Sequence, residues 1–260
     1  MSYDLYFRKR NKEKITLDQF NGYFQNRARY KVENEQAFYQ NEDTGVYFIF
    51  EYNDHSKIDP AESPADISPV YLSINLFRSH IFGLEAEPEI SVFVKHFDLL
   101  VHDPQIDGIS GDEYDSRAFL RGYDIGNKFS YESFSKSDPA VLKNALSSAE
   151  IERCWDWNYH RSELQAEVGE DVFVPRIFFH RIEGKVKSAV LWSEAIPTTF
   201  PKVDTVVIFR QSLAPSHFFK RKKDDYTIVD PSQIAELLEE TTCYKHGDFK
   251  TIISTVQCQI

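Results

Sequence analysis

An α+β fold, with mainly antiparallel sheets and packed helices, is what this sequence predicts, and three observations predict it. Some stretches alternate apolar and polar residues at the strand period; Val70, Leu72, Ile74 and Leu76 face one way. Others repeat at helical spacing, as Ile151, Cys154, Trp157, Arg161, Leu164 and Val168 do. Aromatic residues reach 15%, with 21 Phe and 14 Tyr, and such side chains fit pleated, half-buried surfaces. Both halves run from strands to helices and back, which fits an α+β layout better than regular alternation.

The elements follow in order. Ser2 to Arg8 reads as a strand with Tyr3, Leu5 and Phe7 on one face. Thr16 opens a helix, because Gln19 three residues on completes a capping box in which each side chain satisfies an orphan backbone N–H. Leu17, Phe20 and Phe24 form its apolar stripe. Tyr30 to Glu33 and Gln36 to Gln40 are short strands, and Glu42 to Gly45 is a turn with glycine supplying the positive φ. Val46 to Tyr52 is the returning strand, and Lys57 to Pro69, with three prolines, is a loop. Pro88 suits the first turn of a short helix over Glu87 to His96. Leu99 to His102 is a buried strand, ended by Asp103-Pro104.

Residues 103–137 are rich in Gly, Asp and Ser, with one helix near Ser116 to Gly126. This stretch holds the expected join between two halves of similar size, 1–130 and 131–260, unless the chain is one domain. Asp138-Pro139 starts a helical region that Gly169 stops. Three strands follow, Val172 to Ile182, Lys187 to Trp192 and Thr205 to Arg210, with Gly184 turning the first pair. Pro231 starts a last helix, Ser232 to Glu240, and Thr251 to Gln257 is a closing strand.

Composition narrows the function classes. The net charge is -11, and neutralising phosphates needs the opposite sign, so nucleic acid and anionic membranes are not expected partners. No apolar run approaches the roughly 20 residues that span a bilayer, and Met1 to Arg10 alternates apolar and polar residues unlike a signal peptide. Cys154, Cys243 and Cys258 match neither a zinc spacing nor a disulfide framework. A reducing, cytoplasmic setting is the expectation.

Motifs for catalysis are missing. There is no Gly-x-Ser-x-Gly elbow, no phosphate-binding glycine loop and no His-Glu-x-x-His, so no cofactor and no metal are expected. Cys154 lies among aromatics on a helix face and reads as a structural thiol. His96, Asp98, His102 and Asp103 form the best metal-like cluster, since Asp98 and His102 share a face if they lie on a strand; a capped strand end beside an exposed histidine is the plainer account. Trp155 and Trp157 point about 200° apart on a helix, one toward a core and one toward a second surface. Lys220-Arg221-Lys222-Lys223 is at once compensated by Asp224-Asp225 and reads as a solvated loop.

Charge is unevenly spread along the chain. From Glu33 to Asp115 there are 18 acidic residues against Lys57, Arg78 and Lys95. Arg8 to Lys31 has eight basic residues against two acids. Two outcomes follow: folding brings the segments together and the charges offset, or the acids form a face that steers a basic partner. On the second outcome the interface residues are Glu42, Asp43, Glu85, Glu87, Glu89, Asp107, Asp112, Glu113 and Asp115.

Four stretches carry a resemblance: Met1 to Phe7, Tyr39 to Phe48, Phe82 to Glu89, and Asp103-Pro104-Gln105. They resemble a group of uncharacterised bacterial proteins over most of the chain, and more loosely the immunity partners of bacterial toxins. The resemblance implies a bacterial cytoplasmic protein that neutralises a toxin and transfers no catalytic residue. The functional expectation is therefore a non-enzymatic acidic binding protein, an immunity protein whose partner is a basic toxin domain. The alternative is an enzyme of unknown class with a carboxylate or metal site near residues 96–107.

Overall fold

Strand β1 (Ser2–Lys9) buries Tyr3, Leu5 and Phe7 completely and leaves Ser2, Asp4, Tyr6 and Arg8 on its other face, the alternation read from the sequence. A computed structural model of the chain describes residues 1–11, 13–53, 69–105, 107–137, 145–193, 196–209, 226–235, 241–246 and 249–254. Expectations for Lys57 to Ser68, Pro139, Arg210, Lys220 to Lys223, the helix end at 236–240 and the strand end at 255–257 lie outside these residues. The fold is α+β, built as two units, 1–142 and 143–260.

The first unit is a six-stranded antiparallel sheet in the order β2-β3-β4-β5-β1-β6. Its other strands are β2 (Tyr30–Glu33), β3 (Gln36–Gln40), β4 (Tyr47–Tyr52), β5 (Val70–Asn75) and β6 (Leu99–His102). Three helices pack on one face. The first, α1 (Leu17–Phe24), is capped by Thr16 and Gln19 in the expected box and contributes Phe20 and Phe24. Phe24, Phe50 and Phe93 meet at ring separations of 4.9–5.6 Å, and Phe7 joins them 5.1 Å from Phe93.

The second helix, α2 (Ile81–Phe97), corrects the expected Glu87–His96. Pro88 sits in its middle, not its first turn, although proline removes a helical N–H and crowds the preceding turn. A buried stripe of Ile81, Phe82, Glu85, Ala86, Ile90 and Phe93 holds the helix against the sheet on both sides of the proline. The third, α3 (Ser116–Ser137), runs eleven residues past its expected end at Gly126. Asp115 caps it, accepting from the Ala118 N–H at 2.8 Å, and Phe119 and Tyr123 pack edge-on to Tyr3. Gly83 lets α2 approach α3, since a Cβ there would meet the Tyr123 ring at 2.5 Å.

The second unit opens with α4 (Ser148–Tyr159) and α5 (Arg161–Val168), two helices where the spacing predicts one; the break falls at His160. Gly169 ends α5 at φ 84°, as expected of glycine. A four-stranded sheet follows in the order β11-β10-β8-β7, made of β7 (Phe178–Ile182), β8 (Lys185–Ser193), β10 (Thr205–Phe209) and β11 (Tyr226–Val229). Its β8–β10 pairing is parallel. A three-stranded sheet joins β9 (Thr198–Phe200), β12 (Thr241–His246) and β13 (Phe249–Ser254), and α6 (Pro231–Ala235) places Ile234 in the core.

The expected strand from Val172 begins only at Phe178. Side chains take the backbone groups that a ladder would have used. Asn158 donates to the Ile177 carbonyl (2.9 Å) and accepts from the Ile177 N–H (2.8 Å). Trp157 donates to the Pro175 carbonyl at 2.8 Å, while Gln165 holds the Val172 carbonyl and the Val174 N–H.

Candidate functional site

The acidic segment is mostly spent on the fold itself. Glu85 is corrected outright: it has no exposed surface, and its Oε1 accepts from Tyr39 OH (2.8 Å) and Asn41 Nδ2 (2.7 Å). Helical spacing puts Glu85 on the buried stripe of α2, so it cannot meet a partner. Glu87 accepts from Ser91 (2.7 Å) and Tyr114 (3.2 Å), and Glu89 from Arg27 and Tyr30, both at 3.1 Å.

Asp103 is also internal. It accepts from Tyr3 OH at 2.5 Å and from the N–H groups of Gln105 and Ile109 at 2.9 and 2.8 Å. A Cβ on Gly108 would collide with both the Asp103 carboxylate and the Tyr3 hydroxyl, so the loop closes only with glycine there. Burial raises the phenols of Tyr3, Tyr30, Tyr39 and Tyr114 above their usual range, and the carboxylates of Asp103, Glu89, Glu85 and Glu87 respectively raise them further. Each phenol thus stays a hydrogen-bond donor to an acid.

The remaining predicted residues lie in the loop after β6 and in the β3–β4 turn. Arg8 pairs with Asp112, and Arg10 grips Glu113 at 2.7 and 2.9 Å while reaching Asp98 at 3.3 Å. The Arg10 hydrogen bonds hold the Glu113 carboxyl below its usual range. Asp115 is the α3 cap described above. Asp107 and Glu42 are exposed; Asp43 is half-buried, its N–H donating to Asn41 Oδ1 at 3.1 Å. With Lys31 on Glu33 and Arg27 on Glu89, the basic N-terminal stretch and the acidic segment meet pair by pair. The nine predicted acids therefore do not share one exposed face.

The metal-like cluster separates too. His96 lies against the rings of Tyr23 and Phe97, and His102 against Tyr6. Asp98 is the left-handed cap of α2, and Asp103 is taken by Tyr3. Among the described residues no group of three or more His, Cys, Asp or Glu side chains is placed to hold a metal ion. Burial pushes the Cys154 thiol up to about 11, away from the thiolate a nucleophile needs. Among the described residues no helix is long and apolar enough to cross a membrane.

A different surface comes into view on the open face of the six-stranded sheet. Phe38 (40% exposed) stacks on Tyr47 with ring centroids 6.3 Å apart and an interplanar angle of 7°. With Ile49 and Phe77 these rings wall a hollow of about 300 Å³, whose polar lining is Ser2, Ser73 and Asn75. Its lining contains no carboxylate, histidine, cysteine, lysine or arginine side chain. Cross-strand register sets Phe38 beside Ile49, Ile49 beside Ser73 and Ser73 beside Asp4. Ser2 Oγ donates to Asp4 at 2.9 Å. One row over, Tyr6 stacks on Tyr71, and Glu51 accepts from Gln36 at 3.1 Å and from the Tyr71 phenol.

The sequence did carry a signal for this surface. Tyr47-Phe48-Ile49-Phe50 places large apolar groups on both faces of one strand, and only one face can be the core. Comparison of the chain with protein-family models, with curated proteins and with solved structures finds no match.

Proposed function

We propose that this chain is a non-enzymatic binding protein of the immunity type, which neutralises a basic toxin domain by covering it. The observation that carries this reading is the hollow on the open sheet face, whose aromatic and hydroxyl lining supplies packing and hydrogen bonds but no acid, base or nucleophilic thiol. Phe, Tyr and Met are the residue types enriched at protein interfaces, and Phe38, Phe77 and Met1 are each at least 40% exposed. Charge supports the sign of the partner. Residues 1–142 contain 24 acidic against 15 basic residues, and residues 143–260 contain 17 against 15, so the excess belongs to the unit with the hollow.

The test is to inspect the genes neighbouring that of this protein for a basic toxin domain and to co-express any such domain with this chain in cells that the domain kills. Restored growth, and a purified one-to-one complex whose association slows as salt rises, are the expected results. Absence of protection, or a complex formed with an acidic partner at a salt-independent rate, would sink the proposal.

A further inference from the structure

We infer that the free edge of β7 takes an extended acidic segment of a protein partner as an added strand, with the backbone of Phe179 and Arg181 as its ladder and Arg176, Arg181 and Lys185 as its counter-charges. The site lies in the second unit and goes beyond the immunity reading, on which it does not rest. β7 is the outermost strand of its sheet and pairs with β8 on one side. A two-residue turn, Glu183-Gly184 with φ of 50° and 78°, joins the two strands and makes Ile182 and Lys185 a hydrogen-bonded pair. Such pairs alternate along an antiparallel ladder, so the N–H and C=O groups of Arg181 and Phe179 point away from β8. Ser188, opposite Phe179, has the matching phase: its N–H donates to Asp204 Oδ2 at 2.8 Å and its C=O accepts from the Asp204 N–H at 3.1 Å, on the side away from β7. Among the described residues no group bonds the outward N–H and C=O of Phe179 and Arg181. An edge left unpaired in this way is what an extended segment adds to, its main chain supplying affinity and its alternate side chains specificity.

Charge selects the occupant. Arg181 and Lys185 are exposed on the hairpin and Arg176 is exposed just before it, and among the described residues none of these cations has an ion-pair partner. Glu183, in the turn, is the one acid of the hairpin. Lys187 is offset by Asp204 and Asp230, and His180 is bound to Thr205 Oγ1 at 2.8 Å. On α4, which holds Ile177 through Asn158, Asp156 is taken by His160 at 3.2 Å. The edge therefore keeps a positive excess that attracts acids. A second copy of β7 would bring the same cations to the edge and is repelled. A nucleic acid has the charge but no peptide groups to continue the ladder, and the net charge of -11 opposes it. Phe179, 45% exposed on the same face as Arg181, gives an apolar side chain of the added strand a ring to pack on.

The probe is the peptide N-acetyl-Glu-Val-Glu-Val-Glu amide, titrated into the full chain at physiological ionic strength and followed by amide chemical shifts and hydrogen exchange. Shifts at Phe179 and Arg181 are expected, with exchange of those two amides slowed about tenfold at saturation; the Lys-Val-Lys-Val-Lys analogue should give neither. The same peptide N-methylated at its glutamates cannot donate to the edge and should not bind. The double variant Arg181→Gln, Lys185→Gln should bind about threefold to tenfold more weakly, since two exposed ion pairs are removed. The double variant Lys14→Gln, Lys136→Gln, with the same charge change at exposed positions of the first unit, should bind as the parent does. Thermal melts check that each variant is folded, and if the first does not fold the N-methylated peptide decides in its place. Shifts without slowed exchange, undiminished binding of the N-methylated peptide, or equal weakening in both double variants overturns the inference. So does equal binding of an oligothymidylate, or a dimer in which the Phe179 and Arg181 amides are already protected.

Discussion

Glu85 shows how a carboxylate can be removed from solvent and kept. Its Oε1 serves two donors, the Tyr39 phenol and the Asn41 amide, and Tyr39 itself accepts from Arg29 at 3.3 Å. Taking away one donor leaves a buried acid short of a hydrogen bond, and such bonds to charged groups contribute about 1.5–3 kcal/mol. Tyr39→Phe should therefore lower the unfolding free energy by about 1.5–3 kcal/mol, measured by urea denaturation. Glu42→Gln, in the exposed turn nearby, should stay within about 0.5 kcal/mol. Equal effects of the two would mean that the carboxylate does not depend on the phenol. Gly108 makes the complementary case. Ala at this position must push aside the Tyr3–Asp103 pair, and overpacking of this kind costs about 1–3 kcal/mol. A Gly108→Ala protein as stable as the parent would show that the loop yields more easily than its contacts suggest.

At the scale of the element, local signals were legible and nonlocal ones were not. The capping box at Thr16 and Gln19 needs only four residues of sequence, and it is present as read. The bounds of β2, β3 and β6 also follow from alternation and turn chemistry alone. Helix α2 was read too short because Pro88 carries a strong local rule, while the burial that overrides it comes from strands far along the chain. The shortened strand at Val172 to Ile177 has the same cause: Phe173 keeps a single bridge to Thr198, and the backbone groups of Val172, Val174, Pro175 and Ile177 are bound instead by Trp157, Asn158 and Gln165. The predicted acids do not form one face for a spatial reason, since β1 sits beside β6 and brings Arg8 and Arg10 onto Asp112 and Glu113. Asn158 gives the element-scale prediction. Asn158→Ala strands both backbone groups of buried Ile177, which should destabilise the protein by roughly 2–4 kcal/mol. Amide hydrogen exchange should then quicken at Ile177 and Val174 beyond what the global loss explains; uniform quickening would count against a local clamp.

Across the whole molecule, many of the described phenols are buried or half-buried. Burial is the first cause of the raised values of Tyr3, Tyr30, Tyr39, Tyr71, Tyr114 and Tyr123, and it carries Tyr23 up to about 12. The ordinary phenol value is about 10, so the unfolded chain releases these protons first. A folded state that holds protons more tightly keeps its full stability below about pH 10 and loses it as pH rises from there toward the folded values. Phenolate absorbance should accordingly lag at first and then rise steeply together with the loss of circular dichroism. A smooth titration centred near 10, with structure retained, would contradict the hydrogen-bonded placement of these rings. The position of β1 has a further consequence for how the protein is made. Both neighbours of this strand, β5 and β6, are encoded some 65 to 100 residues later. At about 5–20 residues per second, the ribosome leaves Tyr3, Leu5 and Phe7 without their sheet partners for on the order of 5–20 s. A nascent chain with so apolar a strand waiting that long is a natural client for a holding chaperone.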